Sequence, residues 1–130
     1  SVLDFDDATI ESAIFPSIVP EAADLASGLS VRITWMATTA TTGNVRWRVA
    51  LERGNTDLDA DSFDTAAEGN GTANGTSGIP STTSISLTTL DSVAVGEPYR
   101  IRISRVGSDA TNDTMTGDAE LIAVEVRSAA

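Results

Sequence analysis

The sequence predicts an all-β fold, an antiparallel two-sheet β-sandwich with a jelly-roll-like order of about seven or eight strands. The prediction depends most on residues 29–53, where two runs alternate apolar and polar residues with a period of two. This period is typical of a strand with one buried face. A polar segment at 38–44 separates the runs and suits a long hairpin connection. The positions expected in the core are Leu29, Val31, Ile33, Trp35, Val45, Trp47, Val49 and Leu51.

Further strands are indicated by shorter stretches of alternation, at 2–5, 9–15, 82–90, 99–106 and 120–127. Pro16 and Pro20 are expected to end the second of these strands, since proline removes a backbone donor. The last strand is apolar on both faces, so we expect it to lie centrally or against a neighbouring subunit.

Two segments are predicted to be irregular. Residues 20–28 suit either one helical turn or a plain loop, with proline near the start and glycine at the end. Residues 55–78 form a long acidic and then glycine-rich segment, and loops of that length tend to be mobile or functional.

Composition narrows the classes of function. A length of 130 residues fits a single domain over 1–130, and the formal charge of −11 argues against nucleic acid as a partner. No apolar run is long enough to span a membrane. The chain begins without methionine or a signal-peptide pattern, which predicts a processed product or a piece of a longer protein.

The inventory of reactive side chains argues against an enzyme. All eight basic residues are arginine, and the chain has no histidine, lysine or cysteine. A Ser-His-Asp triad, a thiol nucleophile, a Schiff base and a histidine zinc site are therefore all excluded. Carboxylate pairs remain, but no pattern places two of them across a cleft.

An acidic segment at 57–68 has the ligand spacing of a calcium loop, with acids at the first, third, fifth and twelfth positions. The candidate Ca²⁺ ligands are Asp57, Asp59, Asp61 and Glu68. Against calcium, Ser62 stands where the sharp turn requires glycine, and neither flank predicts a helix. The alternative is that these aspartates cap turns while Phe63 packs into the core. A second acidic loop at 109–118 suits either added metal ligands or Asx turns.

Arginines occupy the outward positions of several predicted strands. Arg46, Arg48, Arg100 and Arg102 form the candidate subunit interface, because arginine is enriched where proteins meet. The alternative is cross-strand ion pairing with Glu52, Glu120 or Glu125.

Three segments resemble β-sandwich modules of tailed-bacteriophage virion proteins. They are TGNVRWRVALER at 42–53, AVGEPYRIRISR at 94–105 and DTMTGDAELIAVEVR at 113–127. The resemblance implies a non-enzymatic structural protein, either a capsid decoration protein or a head or tail fibre module. It also implies a homo-oligomer, with a trimer favoured, that contacts other virion proteins. The chain would then be assembled in the host cytoplasm and found in the extracellular particle.

The alternative from another class is a carbohydrate-binding β-sandwich module, with or without Ca²⁺. A sugar platform requires exposed aromatic rings. The periodicity instead places Trp35, Trp47 and Tyr99 on buried faces.

Overall fold

A computed structural model describes residues 3–55, 57–58 and 62–129, and it confirms the all-β prediction. These residues contain no helix, and therefore none that could cross a membrane. They form eight strands in two antiparallel sheets of four. The strands are β1 Leu3–Phe5, β2 Ile10–Ile18, β3 Leu29–Ala37, β4 Asn44–Arg53, β5 Ala67–Thr72, β6 Ser81–Leu87, β7 Pro98–Val106 and β8 Ala119–Ser128.

The strand order is that of a jelly roll. One sheet has the order β1-β8-β3-β6 and the other has β2-β7-β4-β5. The pairs β1–β8, β2–β7, β3–β6 and β4–β5 are all antiparallel, as in one long hairpin bent at β4–β5. Pairing of β3 with β8 and of β4 with β7 then completes the two sheets. An eight-stranded double sheet of this kind is the jelly-roll solution to burying one face of every strand.

The prediction that residues 29–53 form a hairpin is wrong, because β3 and β4 belong to different sheets. The connection between them crosses from one layer to the other. Alternation identifies the buried face of a strand but not its neighbour, so both arrangements fit the same pattern. Trp35 and Trp47 are both fully buried as expected, and they meet between the sheets with ring centroids 6.0 Å apart.

Strand β5 lies inside the segment that was predicted to be irregular. Its inward positions include Gly69 and Gly71, so it lacks the apolar alternation that marks the other strands. A Cβ at Gly71 would lie 2.0 Å from Thr83 Oγ1 and 3.0 Å from the Trp35 ring. Glycine is therefore needed for β5 to approach β6, and that requirement removes the sequence signal.

Strand β2 continues through Pro16, which was expected to end it. The strand lies at the edge of its sheet and is paired only with β7, so a missing N–H is tolerated there. Residues 20–28 form a loop rather than a helical turn. Two turns shape this loop, with Ala23 N donating to Pro20 O and Gly28 N donating to Leu25 O.

Arg105 is the unexpected member of the interior. Its side chain is fully buried and pairs with the fully buried Asp113. The guanidinium donates to Asp113 Oδ1 and Oδ2 at 2.8 and 3.0 Å, and the remaining bonds go to the carbonyls of Phe5, Met115 and Gly117. All five donors of the guanidinium are thus used, which is what a buried arginine requires.

This buried arginine joins separate parts of the chain. Phe5 ends β1, Met115 and Gly117 lie in the loop before β8, and Asp113 also accepts a bond from Arg46 N on β4 at 3.0 Å. The 107–118 loop is therefore held against both sheets by polar contacts that exclude water.

We predict that Arg105→Lys lowers the free energy of unfolding by about 3 kcal/mol, because one ammonium cannot satisfy the carboxylate and three carbonyls together. Urea unfolding of the two proteins measures the difference. Arg127→Lys is the control, since the Arg127 side chain is 63% exposed and should show almost no change. Equal effects of the two substitutions would contradict the importance of the buried pair.

Candidate functional site

The two sheets close against each other on one side only. Strand β5 packs against β6, whereas β2 and β8 remain apart on the opposite side. The gap there is a cavity of about 490 Å³ that opens to solvent. Its walls include Leu3, Phe15, Ile101, Leu121 and Val124. We call this opening the seam.

A smaller cavity of about 260 Å³ continues the seam toward the 20–28 loop. Tyr99 and Val126 line both cavities, so the two form one apolar groove along β8. Val124 and Val126 point between the sheets, and because the groove is open there they remain only partly buried.

Exposed apolar side chains concentrate on the strands that border the seam. Eight large hydrophobic residues are exposed in the described part of the chain, and five of them lie on β1, β2 or β8. These five are Leu3, Ile10, Ile14, Ile18 and Ile122. Leu3 and Ile122 line the seam, whereas the three isoleucines of β2 lie on the outer face of that strand, with Ile14 opposite Arg102.

Strand β8 also presents backbone groups at the seam. Strand β1 pairs only with Leu121, Glu120 and Ala119, whereas β3 pairs along the other side of β8 as far as Ser128. Within the described residues, no strand pairs with the outer edge of β8 from Ile122 to Ser128, and Ser128 Oγ accepts a hydrogen bond from Asp24 N at 2.9 Å. Unpaired backbone donors and acceptors in a row are a template for another strand.

Arg46 and Arg48, two of the four proposed interface residues, share one carboxylate on the same sheet. Glu68 on β5 accepts from Arg48 Nε at 2.7 Å and from Arg46 Nη2 at 3.1 Å. These bonds lower the pKa of Glu68, with the hydrogen bond from Arg48 as the largest cause. Both arginines thus have partners within their own chain.

Arg100 and Arg102 lie beside them on β7. Arg100 is paired with the buried carboxylate of Glu52, which confirms one of the expected cross-strand partners. Phe63 does not enter the core. Its ring lies outside the sheet, with its centroid 4.5 Å from the Arg102 guanidinium carbon and 5.7 Å from that of Arg100. The arginine face is thereby partly covered by the chain itself.

The proposed calcium ligands are divided between described and undescribed residues. Asp59 and Asp61 lie outside the described residues, while Glu68 lies on β5, bonded to two arginines. Among the residues that the structure describes, no three acidic side chains are grouped to hold a metal ion. Calcium binding at this loop stays a prediction, and Glu68 would have to release its arginines to take part.

In the second acidic loop, aspartates bond to the protein itself. Asp109 accepts bonds from the N–H groups of Thr111 and Asn112, which is the expected Asx turn. A further bond from the Asn112 side chain is the main reason that the pKa of Asp109 is lowered. Asp113 is committed to Arg105.

The seam was not predicted from the sequence. The apolar character of both faces of β8 was the available signal, and it indicated a central or contacting strand without locating the gap. Where β2 and β8 lie relative to each other depends on the sheet order, which no local pattern contains.

Comparison of the chain with protein-family models, with curated proteins and with solved structures gives no match.

We predict that Glu68→Gln lowers the free energy of unfolding at pH 7 by about 1 kcal/mol at most, since the ion pairs are partly exposed. The lowered pKa means that the carboxylate stabilises the fold above its usual pKa of 4.5. That stabilisation is lost as the pH falls through the lowered value in the folded protein. Urea unfolding of both proteins at neutral and acidic pH should therefore show the difference shrink on acidification.

Glu21→Gln, at an exposed carboxylate in the 20–28 loop, is the matched control for removing one negative charge. A difference for Glu68→Gln that stays constant from neutral to acidic pH would show that charge is not the cause.

Proposed function

We propose that this chain is a non-enzymatic structural protein, a subunit that binds another polypeptide at the seam and at the free edge of β8. The observation that carries the proposal is the coincidence of three features on one side of the molecule. An apolar groove, an unpaired strand edge and two exposed apolar side chains that line the groove, Leu3 and Ile122, all lie there. Addition of a strand to an open edge is a common way for proteins to bind peptides and subunits.

The setting that we propose is the virion of a tailed bacteriophage, as a capsid decoration protein or a fibre module. This setting comes from the resemblance of residues 42–53, 94–105 and 113–127. The strand order is compatible with it, because jelly rolls occur in capsid proteins, although lectins also use them.

The aromatic residues do not support the carbohydrate-binding alternative. All six lie in the described part of the chain, and none of them is exposed. Trp35 and Trp47 are fully buried, and the ring of Phe63 lies 4.5 Å from the Arg102 guanidinium carbon. A sugar ring would find no exposed aromatic face to stack on.

Analysis of purified particles tests the proposed function. Phage particles would be purified from the source of the sequence by nuclease treatment and density-gradient banding. We expect them to contain the chain at a fixed ratio to the major capsid protein. Purified chain should also rebind particles depleted of it. Ile122→Lys should weaken rebinding because Ile122 lines the seam and is 41% exposed.

Ile79→Lys is the matched control, at an isoleucine of similar exposure, 47%, that lies off the seam. Absence of the chain from particles would contradict the virion setting. Equal effects of Ile122→Lys and Ile79→Lys would contradict binding at the seam. Binding of the purified chain to defined glycans would favour the carbohydrate alternative.

A further inference from the structure

We propose that the free edge of β8 pairs with the same edge of a second copy of this chain, antiparallel, with Val126 opposite Val126. The inference rests on the proposed function and names the polypeptide that the seam receives. Residues 124–128 of each copy would form the shared ladder, and the sheet β1-β8-β3-β6 would continue across the pair.

The edge of β8 is better suited to pairing than the edge of β2. Strand β2 carries Pro16 at its middle, and proline on an edge strand blunts that edge against addition of another strand. Strand β8 contains no proline, and its free segment includes the β-branched residues Ile122, Val124 and Val126.

Charge complementarity selects the register. Glu125 and Arg127 lie on the outer face of β8, with exposed side chains and a separation of 3.7 Å between Oε1 and Nε. In an antiparallel pair, residues directly opposite each other point to the same face of the sheet. Only registers that differ by two residues therefore keep Glu125 and Arg127 on the outer face of both copies. A register with Glu125 opposite the second copy's Glu125 brings like charges together. A register with Arg127 opposite the second copy's Arg127 does the same.

The register centred on Val126 instead places Glu125 opposite the second copy's Arg127, and the reverse, so two opposite-charge pairs form. Glu125 already lies beside Arg32 on β3. The added arginine would therefore continue an alternating row of charges across the sheet.

The same register agrees with the shape of the edge. The described residues of β1 pair with residues 119–121, which lie beyond the segment that the second copy reaches. Val126 lines both cavities of the groove, so the two-fold axis would pass through the middle of the seam. A strand that pairs with itself in this way produces a dimer, whereas the sequence resemblance implies a trimer.

Cysteine cross-linking tests the register directly, because the chain has no cysteine of its own. Opposed residues in an antiparallel ladder have Cα atoms about 4.5–5.5 Å apart, within the range that a disulfide requires. Under mild oxidation we expect Val126→Cys to form covalent dimers. Glu125→Cys and Arg127→Cys should each cross-link poorly alone but efficiently when mixed. Efficient self-linking of Glu125→Cys would overturn the proposed register.

The second test exchanges the charges of Glu125 and Arg127 and measures the mass of each variant in solution. Wild type should reach twice the chain mass of 13.5 kDa at high concentration. Glu125→Arg and Arg127→Glu should each weaken the dimer by about tenfold, and the double exchange should restore it. Glu120→Arg is the control, because it lies on the same strand but opposite β1, and it should leave the dimer unchanged.

A trimer, or a protein that stays monomeric at millimolar concentration, would overturn the second copy as the occupant. Either result leaves the particle-binding experiment able to support or contradict the proposed function. Failure of the dimer can therefore be distinguished from failure of the proposed function.

Discussion

The buried contact between Arg105 and Asp113 is the interaction on which the rest of the structure depends. A guanidinium removed from water must find a partner for every donor, and Arg105 finds them in one carboxylate and three carbonyls. Those carbonyls belong to the end of β1 and to the loop just before β8. The contact therefore sets where β1 stops and where β8 begins.

The open seam begins at the opposite end of the β1–β8 pairing, beyond Leu121. Strand β1 pairs Phe5 with Ala119 and Leu3 with Leu121, so its described residues cover only the first residues of β8. A register shift between Thr34 and Trp35 leaves Ile122 as the extra residue of β8, with Val124 and Val126 facing the gap between the sheets. The same strand thus carries apolar residues into the seam and leaves its backbone edge unpaired.

Alternation was enough to predict the sandwich, because the buried face of a strand is a local property. It also places Arg105 on the same face as Tyr99, Ile101 and Ile103, a signal from which the buried arginine could have been predicted. The partner of each strand is not local, so the supposed hairpin at 29–53 was wrong. Strand β5 was missed because close packing on Trp35 requires glycine where the pattern requires an apolar residue.

Hydrogen exchange of wild-type protein at low and high concentration tests most directly whether β8 is the assembly surface. We predict that amides at 122–128 become protected as the concentration rises, while those of Arg46, Arg48, Arg100 and Arg102 do not change. Protection confined to the arginine face, with β8 unaffected, would contradict the account and would place assembly on the opposite side of the β2-β7-β4-β5 sheet.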